Sequence, residues 1–346
     1  MSQGTLEIIS INGQASIQDL GRLNAQHLGF SASGAADEFA FLSANKLISN
    51  KLSDRHQQHI AEINNQQYQC AAIEITLGQI SLQANAACII AITGADCHAQ
   101  INNNAVDNWQ CYQLKAGDIV DFAMPTTGLH SYLAVFGGFT CQSKQQPWLG
   151  SFSQTRNEMA LGFTGQTLTM GSKLHFSAQT QSFIKTGAER PANRATSTPT
   201  LFYAKEKLTL RIMPSRLFLQ MRSAQQQQFL ATEYVISPDS NRMGYRLAVQ
   251  QQPQLLTNEK ILSQPLRNSC LLSMPVTYGM VQFPENEQPI ILMKERQTMG
   301  GYPVLGTVMQ TDLFRLSQMR PGEKVSFILI SYQQAQQQLR AFYQKL

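Results

Sequence analysis

The stretch AAIEITLGQISLQANAACIIAITGA, Ala71–Ala95, decides the fold class. Three short runs, AAIEITLG, ISLQA and ACIIAITGA, follow one another in quick succession, divided by Gly and Asn. Isoleucine-rich runs of that length between turn residues read as β-strands. The most apolar of them, from Ala87, is too short to cross a bilayer and ends in Thr-Gly-Ala.

The same grammar continues outward. TLEIISI (Thr5–Ile11) alternates and stops at Asn12-Gly13, a strong turn signal. HAQINNNAV reads as two strands around an Asn-rich turn, and YQLKAGDIVDF breaks at Ala116-Gly117-Asp118 before resuming. LHSYLAVFGGF is another strand-like run, ending at Gly137-Gly138. Helices are few. Ala35 to Ser49 places Ala40, Phe41, Ala44, Leu47 and Ile48 on one face, the stripe of an amphipathic helix. Ser33 is its expected N-cap, Asp37 suits the positive helix start, and Asn50 closes the far end. A second helix is expected over Arg216 to Ala231, with the Gln225–Gln228 run as its solvated face. A third starts near Asp312, and the last helix turns Leu339, Phe342 and Leu346 inward.

KTGAERPANRATSTPT (Lys185–Thr200) lacks periodicity and reads as a linker or long loop. The expected organisation is mainly β in two barrel halves, residues 1–190 and 201–346, joined by residues 191–200. LKAGDIVDF and MRPGEKVSF share a pattern of basic residue, Gly turn, acid and strand, a faint echo of duplication that turn chemistry alone would also give.

Bulk composition narrows the function. Of 346 residues, 27 are Lys or Arg and 22 Asp or Glu, a net charge of +5 with no basic block interleaved with aromatics. Nucleic acid is therefore not an expected partner. The start MSQGTLEIISINGQ has neither a basic nor an apolar leader region, so a cytoplasmic, membrane-free protein is expected. Six cysteines, at 70, 88, 97, 111, 141 and 270, lie without close pairs, which fits reduced thiols and no metal site.

Four polar-and-glycine clusters stand above the fold. SIQDLGRLNAQHLGFSASGAAD gathers Asp19, Arg22, His27, Ser31, Ser33, Gly34 and Asp37 before a helix start, where backbone N–H groups favour an anion. Pairing of Asp19 with Arg22 and a structural His27 explain the same residues equally well. Thr93-Gly94-Ala95-Asp96, with Glu74 upstream, reads first as a strand-end turn. SPDSNRMGYRL offers Arg242 and Arg246 around Gly244; arginine suits bidentate capture of carboxylate, and an exposed strand edge is the other reading. ERQTMGGYP (Glu295–Pro303) follows the apolar run PIILM and carries donors that strand packing does not require: Arg296, Gln297 and Thr298. Gly300-Gly301 allows close backbone approach, and Tyr302-Pro303 fixes the exit. This loop is the strongest site candidate. No serine-hydrolase elbow, H-E-x-x-H or dinucleotide-type G-x-G-x-x-G accompanies it.

The fragments SIQDLGR, HLGFSASGAAD, ITGAD, LAVFGGF, SPDSNRMGYRL, QPIILMKERQTMGGYP and MRPGEKV, in that order, resemble the family of 5-oxoprolinase C subunits. That family is also called the biotin-dependent carboxyltransferase-like or allophanate-hydrolase-subunit-2 family, and it includes the KipA regulator. The resemblance implies two cyclophilin-like β-barrels, a direct partner like the 5-oxoprolinase B subunit, and a third protein like its A subunit. It implies an ATP-dependent (Mg-assisted) opening of 5-oxoproline to glutamate. Asp19, His27, Arg296 and Gln297 would then be catalytic. Arg22, Ser33, Gly34, Asp37, Arg242, Gly244, Thr298, Gly300, Gly301 and Tyr302 would bind substrate. The alternatives within the family are the biotin-dependent carboxyltransferase part of a urea-degrading system and a non-catalytic KipA-like binder. The chain departs from the family pattern at Phe152 and Val304, where basic residues are usual, and at Glu295, where Asp is usual.

Overall fold

The computed structural model describes residues 3–22, 24–50, 70–139, 147–165, 167–177, 203, 207–251 and 272–345. Residues 191–200, expected as the linker, lie outside these, as do Cys141, Cys270 and Leu346. The chain forms two units. One comprises Met1–Leu23 and Ser33–Thr198, the other Asn24–Ala32 and Pro199–Leu346. The segment Asn24–Ala32, expected with the N-terminal half, thus belongs to the second unit.

The first unit begins with β1 (Gln3–Ile11), β2 (Gln14–Gln18), β3 (Ala72–Thr76), β4 (Ile80–Ala84), β5 (Cys88–Gly94) and β6 (Gln100–Ile101). It continues with β7 (Asn104–Ala105), β8 (Gln110–Leu114), β9 (Ile119–Phe122), β10 (His130–Val135) and β11 (Lys173–Ser177). These strands form two sheets, ordered β11-β1-β4-β9-β6-β7 and β2-β3-β10-β5-β8. Strand β5 is buried along its whole length, and the alternation of its side chains explains why. Cys88, Ile90 and Ile92 enter one core with Ile73, Ile75, Leu133 and Val135. Ala91 points the other way, with Ala72, Tyr132 and Ala134, against the helix α1 (Glu38–Asn50). Small alanines on that face admit Ala40, Phe41, Ala44 and Ile48 of the helix to the sheet. A run that is apolar on both faces is therefore a central strand covered twice.

α1 starts at Glu38, later than expected, because Asp37 rather than Ser33 is its cap: Asp37 Oδ1 accepts the Ala40 N–H at 3.1 Å. Ser33 instead adopts a left-handed backbone, φ 54°. A short helix, α2 (Arg156–Ala160), is capped by Thr155.

The second unit has β12 (Lys207–Pro214), β13 (Glu233–Ile236), β14 (Gly244–Gln251), β15 (Met274–Pro275) and β16 (Met280–Gln282). After them come β17 (Ile290–Leu292), β18 (Met299–Gly300), β19 (Val304–Val308) and β20 (Lys324–Leu329). Strands β12-β19-β16-β17-β14-β13-β20 make a closed barrel, completed by the parallel pairing of β12 with β20. Its core centres on Phe229, stacked on Phe327 with ring centroids 4.8 Å apart. β15 and β18 pair separately as a small ribbon. The protein is mainly β, as its strand grammar implies.

The helix expected over Arg216–Ala231 is two helices, α3 (Arg216–Gln220) and α4 (Ser223–Ala231). The glutamines cause the break. Gln225 Oε1 accepts the Arg222 N–H at 3.2 Å, and Gln226 Nε2 donates to the carbonyls of Phe218 and Met221. Gln225 and Gln228 are buried while Gln227 stays exposed, so only part of the run is a solvated face and Gln225 and Gln226 serve as caps. α5 (Gln310–Ser317) buries Asp312 against Arg211, and α6 (Tyr332–Lys345) lays Phe342 on Phe314 with ring centroids 5.9 Å apart. The two echoing segments share one turn. Asp118 accepts the Lys115 N–H at 2.7 Å, Glu323 accepts the Arg320 N–H at 2.6 Å, and a left-handed glycine sits between in each. Among the described residues no helix is long and apolar enough to cross a membrane.

Candidate functional site

In the second unit the loop after β17 turns at Lys294-Glu295, tied by the Glu295 N–H to the Arg242 carbonyl at 2.8 Å. The turn sends alternate side chains in opposite directions. Glu295 meets Arg242, whose Nε donates to Glu295 Oε1 at 2.5 Å. Arg296 goes inward and is only 7% exposed. Its Nε reaches the Val276 carbonyl at 3.4 Å, and Nη2 donates to Gln26 Oε1 at 3.2 Å. Gln26 in turn donates through Nε2 to the carbonyls of Val276 (2.8 Å) and Thr298 (3.3 Å). One amide therefore ties both edges of the β15–β18 ribbon, where Val276 N–H bonds the Thr298 carbonyl, and holds the guanidinium at the same time.

The remaining Arg296 nitrogen, Nη1, is buried with no hydrogen-bond partner. No acidic group among the described residues offsets the charge: burial pushes the guanidinium below its ordinary pKa, and only Tyr278 opposes that. Close by, the amide of Gln282 is also buried, with Nε2 unpartnered. Gly300 explains its place. A Cβ on Gly300 would lie 2.4 Å from Gln282 Nε2, 3.1 Å from Val276 Cγ1 and 3.6 Å from Gln297 Nε2, so the amide occupies the room a side chain would take. Lys294 is buried with Nζ 4.8 Å above the Tyr278 ring. Gln297 and Tyr302 are exposed, while Thr298, Gly300 and Gly301 are half-buried.

The other expected residues separate. His27 is exposed on the 3-10 turn Gln26–Leu28 of the second unit, next to half-buried Gln26. Gly244 opens β14 against Ile290, and Arg242 is engaged by Glu295, so the chain's own carboxylate fills the expected clamp. In the first unit Asp19 is surrounded by donors. Oδ1 accepts the Gly21 N–H (2.7 Å), Ser151 Oγ (2.7 Å) and Ser153 Oγ (2.5 Å), and Oδ2 accepts the Phe152 N–H (2.7 Å). Such a carboxylate organises the Ser151–Ser153 turn. Arg22 donates to the Ser153 carbonyl and lies 4.9 Å over the Trp148 ring, not against Asp19. Phe152 packs on the first unit's core. Gly34, φ 100°, passes so close to the Leu20 carbonyl that a Cβ would sit 2.7 Å from it.

The start of α1, expected to attract an anion, already holds the chain's own acids. Glu74 Oε2 accepts the Ala36 N–H at 2.8 Å and the Tyr132 hydroxyl at 2.7 Å, and that hydroxyl accepts the Asp37 N–H at 2.8 Å. Burial, then Glu74 and Asp37, push the Tyr132 phenol well above its ordinary pKa. Glu74, Tyr132 and Thr93 stand in register across β3, β10 and β5, so the TGAD strand end serves the helix contact, with Thr93 Oγ1 donating to the Ala40 carbonyl at 2.8 Å.

The second unit thus holds a buried guanidinium and a buried amide, each with one unpartnered nitrogen, beside the barrel and the ribbon. Residues 28–329 match the family model described as carboxyltransferase domain, subdomain A and B. The chain belongs to the carboxyltransferase-domain family. It is 31% identical over 333 residues to the C subunit of 5-oxoprolinase from Escherichia coli, across 95% of this chain and 93% of that protein. Urea amidolyase of Lachancea kluyveri is 25% identical over 338 residues, 96% of this chain but only 17% of that protein. The crystal structure of the K. lactis urea amidolyase superposes with a TM-score of 0.75 at 21% identity, over 97% of this chain and 19% of that one, a likeness of fold.

Within this carboxyltransferase domain the loop residues Arg296, Thr298 and Gly300 lie together around Val276, with Gln26 bonded to two of them. Gln26, Val276 and Gln282 were not foreseen. Gln282 carried one readable signal, an amide inside the apolar run MVQF of a barrel strand. Gln26 carried none beyond its place beside His27.

Proposed function

We propose that this chain is a component of an ATP-dependent 5-oxoprolinase, the complex that opens 5-oxo-L-proline to L-glutamate. The observation that carries the reading is the buried Arg296 guanidinium without an acidic partner among the described residues. A buried charge left unmatched costs several kcal/mol, which an anion from outside offsets. 5-Oxoproline is such an anion. The reading is supported by the 31% identity to a 5-oxoprolinase component along nearly its full length.

On this reading Arg296, Gln297, Thr298 and the backbone of Gly300 and Gly301 hold the substrate. A lactam resists hydrolysis because its amide resonance must be broken. ATP coupling lowers that barrier, and preorganised donors stabilise the charge that develops. Nη1 of Arg296 and Nε2 of Gln282 are too few donors for a magnesium triphosphate, so the nucleotide is assigned to the assembled complex. Its other members are a protein like the 5-oxoprolinase B subunit, bound directly, and one like its A subunit, in the cytoplasm. The Lachancea kluyveri relative favours a second reading, the carboxyltransferase step of a biotin-dependent urea carboxylase, with the biotin carrier on another chain or segment.

The test is co-expression with candidates for those two partners, assaying 5-oxoproline-dependent formation of ADP and glutamate. The full set should turn over, and Arg296→Ala should lower the rate at least a hundredfold. Turnover of urea with biotin instead would establish the second reading. A stable complex inert to both would make the chain a KipA-like binder, with hydrophobic Phe152 and Val304 at two usually basic positions.

A further inference from the structure

We propose that Gln282 is a ligand-binding residue: its amide and Arg296 Nη1 together hold the carboxylate of a small molecule in the second unit. This rests on the function proposed above and names the group that the Arg296 loop recognises. Buried donors in folded proteins are almost always paired. Here two go unpaired, on Gln282 at 1% exposure and on Arg296 at 7%. Both border Val276. Arg296 Nε approaches its carbonyl at 3.4 Å, and its Cγ1 lies 3.1 Å from the Gly300 Cβ position that Gln282 Nε2 approaches to 2.4 Å.

The local structure fixes both groups. Gln26 holds the guanidinium by Nη2, leaving Nη1 as the unpartnered nitrogen. Gln282 is anchored on β16, whose residues pair with β17 and β19, so its backbone has little freedom to withdraw the amide. The missing side chain of Gly300 keeps the amide's position open. A planar guanidinium edge and a planar amide suit a flat two-oxygen acceptor, one N–H to each oxygen, better than a tetrahedral phosphate. Neutral Gln282 adds a donor without adding charge, so it discriminates by geometry where Arg296 attracts.

The experiment is calorimetric titration of the full chain with cyclopentanecarboxylate, 2-pyrrolidinone, 5-oxoproline and inorganic phosphate. Cyclopentanecarboxylate has the ring and carboxylate without the lactam; 2-pyrrolidinone has the lactam without the carboxylate. We expect cyclopentanecarboxylate to bind, Gln282→Leu to weaken it about tenfold or more, and 2-pyrrolidinone to be indifferent to that substitution. Gly300→Ala, whose methyl would displace the amide, should weaken it comparably while the melting temperature reports an intact fold. Absence of carboxylate binding to the wild type, preference for phosphate, or loss of binding with Arg296→Ala but not with Gln282→Leu would each overturn the proposal. Gln282-dependent carboxylate binding, with the full set of co-expressed partners inactive toward 5-oxoproline, would sink the enzymatic reading and leave this one standing.

Discussion

Glu295 and Arg296 are neighbours in sequence with opposite surroundings. Glu295 is neutralised by Arg242, while Arg296 meets only amides and carbonyls among its hydrogen-bond partners. The Glu295 carboxylate reaches Arg242 at 2.5 Å. Shortening the side chain by Glu295→Asp should loosen that pair. Its side chains are 21% and 13% exposed, so the expected cost is modest, about 1 kcal/mol, or a fall of roughly 2 °C in Tm by calorimetry. An unchanged Tm would mean that Arg242 finds an equal partner elsewhere. At this scale the sequence marked the charged residue of the candidate site and left its neutral neighbours unmarked. An arginine in a Gly-rich loop is conspicuous, whereas Gln26 meets Arg296 across a separation of 270 residues and no local pattern marks it.

The elements were legible wherever one periodicity ruled. Strand β5 announced itself as an apolar run between turn residues, and α1 as a stripe of Ala40, Phe41, Ala44 and Ile48. What periodicity does not carry is the terminus, because several side chains compete there to satisfy the first N–H groups. Ser33 was the expected cap and Asp37 only an acid suited to the helix start, yet Asp37 accepts the capping N–H while Ser33 takes a left-handed backbone. The split between α3 and α4 was hidden for a related reason: glutamines fit a helix surface, and only the buried environment shows them capping one. Asp37→Ala should therefore destabilise the protein by about 1–2 kcal/mol in urea denaturation, and Asp37→Asn, which still caps, by much less. Equal losses for the two would show that the carboxylate's charge, not its capping bond, is what matters. If neither substitution shifts the midpoint, Asp37 is no structural cap and returns as a candidate for the binding role first expected of it.

The whole chain is not two beads in sequence. It leaves the first unit after Leu23, contributes Asn24–Ala32 to the second, and returns at Ser33 long before the second unit's main body begins at Pro199. The excursion supplies Gln26, which holds Arg296, so the candidate site draws on both ends of the sequence. Composition could suggest a boundary near residues 191–200, but it could not show that Asn24–Ala32 groups with the second unit. The consequence is mechanical. Cutting an inserted protease site within residues 191–200 leaves Gln26 on the N-terminal fragment and Arg296 on the C-terminal one, although both belong to the second unit. The fragments should therefore co-elute in gel filtration under native conditions and separate only in denaturant. Fragments that separate in native buffer with residues 24–32 intact would mean that Asn24–Ala32 adds little to the second unit. The Gln26–Arg296 contact would then be too weak to position the guanidinium.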